Sequence, residues 1–110
     1  MSDERVRRVV HNEVLFRQVN ETIDQLNDNE MAHGAGEFAV VCECGDLGCT
    51  DQIPVDKAAY ERTRSNPVWF LVKSGHEIPA VEHVVASGAG YLIVEKDPPD
   101  AKAFARDTAP

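Results

Sequence analysis

No apolar run in this chain approaches the roughly 20 residues needed to cross a bilayer. The opening Met-Ser-Asp-Glu-Arg has no apolar signal-peptide region. The expectation is a cytoplasmic protein with no membrane partner. Basic residues are scarce as well: 11 Lys and Arg face 19 Asp and Glu, a formal net charge of −8. Proteins that bind phosphate backbones do so through clustered Lys and Arg, so nucleic acid is excluded as the main partner. Arg5, Arg7 and Arg8, flanked by Asp3, Glu4 and Glu13, read as a solvated helix face rather than a binding patch. There is no internal repeat and no interior Gly-, Ser- or Pro-rich linker, and 110 residues is about the length of one ordinary domain. Cysteine is sparse and its count is odd, at three. Where cellular thiols are kept reduced, three closely spaced cysteines point to metal or redox chemistry rather than to a disulfide framework.

What is present divides into three parts: an N-terminal helix and connector over 1–36, an α+β unit over 37–96, and a disordered or weakly helical tail over 97–110. Over 4–26, Val9, Phe16, Val19, Ile23 and Leu26 recur at spacings of three, four or seven. That spacing predicts one apolar helix face, to be covered by the rest of the chain or by a second copy. Asn27-Asp28-Asn29, Gly34 and Gly36 end the helix. Residues 37–44 read as a strand running into a glycine-rich turn, and Ile53-Pro54-Val55 is a short edge piece. Asp56 is placed to cap a helix over 57–64, with Tyr60 facing the core and Asn66-Pro67 ending it. Val68 to Val72 is the most apolar run and predicts a buried strand. Residues 81–86 and 91–96 predict a closing hairpin around Ser87-Gly88-Ala89-Gly90, although Pro79 also allows a helix start for the first arm. The fold class is α+β: a long N-terminal amphipathic helix, then a small, mainly antiparallel sheet with one short helix and a zinc-binding turn.

Cys42-Glu43-Cys44-Gly45-Asp46-Leu47-Gly48-Cys49 has the pattern C-x-C-x4-C. Thiolates so spaced, on a strand end followed by glycines that let the backbone curl, can converge on one ion. The neighbouring residues are polar and turn-forming, unlike the apolar setting of inert core thiols. A closed tetrahedral site needs a fourth ligand, and no fourth cysteine exists. Of the four histidines, His76 is preferred because its loop directly follows the buried strand, and His83 is second. His33 lies in the connector and His11 on the long helix. Three cysteines with one histidine in a small domain favour Zn2+ over iron.

The chain resembles a family of small bacterial proteins with a shared pattern. Its pieces here are Phe16-Arg17, Asn20-Glu21, Phe38, the three cysteines, Tyr60-Glu61, Phe70-Leu71-Val72, Gly75-His76-Glu77-Ile78-Pro79 and Gly90-Tyr91-Leu92-Ile93-Val94-Glu95-Lys96. The resemblance spans the chain apart from its tails. It implies that His76 partners the cysteines, and it implies no activity.

Catalytic signatures are weak. His76-Glu77 and Glu82-His83 lack the H-E-x-x-H spacing, and Pro79 interrupts the helix that spacing requires. The deaminase pattern H-x-E with P-C-x-x-C is also missing. Three thiolates and an imidazole leave no open position for an activated water. A hydrolase would need His76 outside the shell, with Glu77 as general base. The leading reading is an interaction or regulatory module with a structural zinc site, engaging another protein or itself through the N-terminal helix. The alternatives are a zinc-thiolate redox switch and, behind it, a metal-dependent hydrolase with a three-thiolate site.

Overall fold

A computed structural model describes residues 3–30 and 37–109. The elements run α1 (Asp3–Glu30), β1 (Glu37–Val41), β2 (Gln52–Asp56), α2 (Lys57–Arg64), β3 (Trp69–Lys73), β4 (Glu82–Gly88), β5 (Tyr91–Lys96) and α3 (Pro99–Asp107). The class is α+β, as the sequence predicts, but the strands form two antiparallel sheets, β1-β2 and β3-β5-β4. In β2, Ile53 and Val55 turn inward while Pro54 stays exposed. Asp56 caps α2 by accepting from Ala59 N at 2.7 Å, which satisfies one of the donors a helix start leaves free. Tyr60 is fully buried, edge-on to Phe38.

Glu43 links the two sheets. Its N–H donates to Leu71 O and its Oε1 accepts from Leu71 N, both at 2.9 Å. The core between the sheets is built from Phe38, Val40, Ile53, Val55, Tyr60, Phe70 and Val72, with Ile93 and Val94 behind them. The first arm of the hairpin is strand β4 rather than a helix, with a register shift between Val84 and Ala86.

One expectation is revised, and of the two alternatives for the tail the helical one is found. The face of α1 turned to the protein is not the predicted apolar stripe: Val19 and Leu26 are 41% and 57% exposed, while Val10, Glu13, Val14, Arg17 and Asn20 are buried. Val9, Phe16 and Ile23 are half-buried at the margins. The helix docks through polar groups that meet backbone partners. Asn20 Nδ2 donates to Val41 O and its Oδ1 accepts from Val41 N, both at 2.8 Å. Asn12 Nδ2 donates to Gly45 O at 2.9 Å. Buried amides matched in this way are tolerated, because the desolvation is offset by hydrogen bonds. A period search that counts only apolar residues misses such a face. Within the tail, Pro99–Asp107 forms α3, with Ala101 and Ala105 buried and Phe104 stacked on His11 at a centroid distance of 4.2 Å. Small residues four apart let this helix sit close to its support, and Arg17 Nη2 reaches Ala105 O at 3.0 Å. Gly34, Gly36 and His33 fall outside the described residues.

Candidate metal centre

The cluster lies where β1 and β3 end side by side. Beyond Val41 the chain stays paired, with Cys42 N donating to Asp51 O at 2.9 Å. Extended backbone alternates its side chains, so Cys42 and Cys44 share one side while Glu43 turns to the other, into the core. Gly45 then reverses the chain at φ +80°. A Cβ there would stand 2.8 Å from Val9 O and 3.0 Å from Glu13 Cγ. Glycine is therefore required both by the left-handed backbone and by the approach of α1. Asp46 builds the rest of the turn: its Oδ1 accepts from Gly48 N and its carbonyl from Cys49 N, each at 2.9 Å. The second segment turns just after β3. His76 N donates to Lys73 O at 2.9 Å, and Gly75 takes φ +93°, which brings the imidazole back toward the thiols.

One donor atom from each of Cys42, Cys44, Cys49 and His76 lies within 4.8 Å of every other. His76 Nδ1 is 3.5 Å from Cys42 Sγ and 3.6 Å from Cys49 Sγ. For Zn–S near 2.3 Å and Zn–N near 2.0 Å, a tetrahedron has S···N edges of about 3.5 Å and S···S edges of about 3.8 Å. The donor set fits a soft divalent ion in both chemistry and spacing. Cys42 and Cys44 are buried and Cys49 is partly open.

The surroundings favour negative charge on one sulfur, that of Cys44. Lys73 N donates to Cys42 Sγ at 3.2 Å, and the backbone amides of Asp46 and Asp51 serve Cys44 and Cys49. The hydrogen bond from Cys42, helped by the Asp46 amide, holds Cys44 down at about 5. The same bond to Cys44, then burial, pushes Cys42 up, and burial pushes Cys49 up. One thiolate stabilised by its neighbours is the starting point from which a metal displaces the remaining protons. On the far side of the ring, His76 Nε2 faces Asp51 Oδ2 at 3.5 Å. Carboxylates in that position orient metal-binding imidazoles.

The other histidines stand apart from the cluster. His83 is half exposed and pairs with Asp97 Oδ1 at 2.6 Å, and His11 packs on Phe104. Asp51 and the Lys73 amide were missed by sequence reasoning. The only cue for Asp51 is its place two residues after Cys49, and the amide leaves no mark in sequence. Among the described residues no helix is long and apolar enough to cross a membrane. Comparison with protein-family models, curated proteins and solved structures finds no match.

Proposed function

We propose that this chain is a small zinc protein whose ion is held by Cys42, Cys44, Cys49 and His76 in a closed, structural shell. It then acts as an interaction or regulatory module toward another protein or a second copy of itself. The observation that carries this reading is the convergence of four donors from two separate segments to within 4.8 Å of one another. An ion bound there would fix the 42–49 turn to the loop after β3, and a filled shell has no position for a reacting water. The outer face of α1 supports the interaction role, because Leu15, Val19 and Leu26 are 50%, 41% and 57% exposed on a single helix. On this reading the Gly75-His76-Glu77-Ile78-Pro79 segment, which carries the family resemblance, serves the metal.

Metal analysis of protein purified without added metal tests the proposal: about one zinc per chain is expected. Cobalt substitution should give the visible spectrum of a tetrahedral site with three sulfurs, and His76→Ala should change it. Metal-free protein that melts at the same temperature as the zinc-loaded form would end the structural reading.

The exposure of Cys49 favours one further reading, a redox switch. It is the least buried of the three cysteines. A peroxide could take two electrons from Cys49 and a neighbouring thiolate, forming a disulfide and water and releasing the ion. Peroxide treatment that leaves the zinc content unchanged would remove that role.

A further inference from the structure

A second built site lies away from the sulfurs, where α1, the end of α2 and the end of α3 meet. A cavity of about 220 Å³ is lined by Arg17, Arg64, Asn66, Pro67 and Ala109. Both of its cations are withdrawn from water, with Arg17 1% exposed and the Arg64 side chain 10%. Each is held from one edge. Arg17 Nη1 donates to Pro67 O at 2.8 Å, and its Nη2 donates to Ala105 O at 3.0 Å and Thr108 Oγ1 at 3.1 Å. Arg64 Nη2 donates to Glu43 Oε1 at 2.5 Å. The Phe70 ring lies 5.0 Å from the Arg17 Cζ and the Tyr60 ring 5.3 Å from that of Arg64, so neither guanidinium is free to rotate.

The remaining edges are unsatisfied. Arg17 Nε, Arg64 Nε and Arg64 Nη1 are buried without a hydrogen-bond partner among the described residues. Arg17 meets only neutral oxygens. Glu43 pairs with Arg64, and its second oxygen accepts from Asn20 at 2.7 Å. The nearby Glu21 accepts from the Tyr60 hydroxyl at 2.9 Å. The two nearby carboxylates, Glu43 and Glu21, take their hydrogen bonds from Arg64, Asn20, Leu71 and Tyr60, and three guanidinium N–H donors stay idle. Buried donors and charges are costly unless matched, and a guanidinium fork matches an oxyanion in both shape and charge.

We infer that this cavity binds a small oxyanion, a phosphate or carboxylate group, between the Arg17 and Arg64 guanidiniums. The volume is below the roughly 300 Å³ at which sites for drug-sized ligands begin, so the group received has few heavy atoms. The net charge of −8 repels polyanions from the rest of the surface. The selection is local, made by donors rather than by a broad basic field. The site does not depend on the metal reading, since none of its residues belongs to the sulfur cluster.

The test uses the full chain as purified, titrated separately with inorganic phosphate and with acetate at ionic strength matched by sodium chloride. The arginine Nε–H resonances report the outcome. Saturable movement of the Arg17 and Arg64 signals with either anion supports the site, and the anion that moves them assigns its class. Arg64→Lys keeps a cation for Glu43 but loses the fork, and it should weaken binding about tenfold or more. No movement up to about 10 mM of either anion, where even a millimolar site would fill, overturns the inference. So does unchanged affinity in a folded Arg64→Lys protein.

Discussion

At the Lys73 end of β3, three thiols and an imidazole gather at a spacing that could hold a metal ion. Beneath Phe70 on the same strand, charged groups have been buried with partners supplied by the chain itself. There Lys96 Nζ donates to Glu13 Oε2 at 2.5 Å and to Glu82 Oε1, and all three side chains are fully buried. The Phe70 ring lies between Lys96 Nζ at 5.4 Å and Arg17 Cζ at 5.0 Å, both within range of a cation–π attraction. The first region ties together two turns only a few residues long; the second ties α1 to β4 and β5. The difference teaches that the two halves should fail under different treatments. On the proposed metal reading, one depends on a chemical outside the sequence; the other depends on pairs that a single substitution breaks.

The largest effect should therefore come from removing metal. A chelator, or Cys44→Ser, should lower stability by about 4 kcal/mol or more, a fall in Tm of about 15 °C or more for a chain of this length. Hydrogen exchange should show the loss first at the Cys42 and His76 amides, which bond Asp51 O and Lys73 O, and later at β5. Uniform loss of protection would erase the distinction between the regions. Next in size is Lys96→Met, which strands the buried Glu82 and Glu13 side chains without their cation and should cost about 3–5 kcal/mol with zinc content unchanged. A denaturation midpoint within about 1 kcal/mol of wild type would show that the ion group is replaceable by packing alone. Gly45→Ala couples the regions. It strains a residue at φ +80° and drives a Cβ to 2.8 Å from Val9 O, so it should cost about 1–3 kcal/mol and also weaken metal retention. If the metal affinity of that variant is unaltered, α1 does not support the turn.

The same contrast explains what could be read in advance. The thiols stand within eight consecutive residues, 42–49, and glycines mark their turn, so their meeting is written in local spacing. His76 joins through the turn after β3, one step away in topology. The buried ion group instead draws on residues far apart in sequence, with 83 positions between the numbers of Lys96 and Glu13. Nothing local marks Glu13 as different from Glu4 on the same helix. Arg17 and Asn20 look like solvent-facing helix residues until Pro67 O, Ala105 O and Val41 are placed beside them. The apolar pattern of α1 was real, but part of it faces outward. For α3 the small size of Ala101 and Ala105, not their hydrophobicity, permits docking, and composition alone gives no sign of that.

The smallest of the four effects concerns protons within the ion group. Burial pushes the Glu13 carboxyl from its ordinary 4.5 to about 8, with Lys96 opposing and Glu82 reinforcing the rise. Its Oε1 is buried without a partner among the described residues, which leaves room for a bound proton but no donor to replace it. The folded chain thus holds that proton more tightly than the unfolded chain. Its contribution to stability is complete below about pH 4.5 and is lost as pH rises through about 8. Glu13→Gln stays neutral throughout and lacks this loss. Wild type should therefore weaken relative to Glu13→Gln by about 1 kcal/mol between about pH 7 and pH 8, read as diverging urea midpoints. Lys96 meets Glu82 in both proteins, so the divergence isolates Glu13. Parallel midpoints would mean that Lys96 holds Glu13 ionised against the cost of its burial.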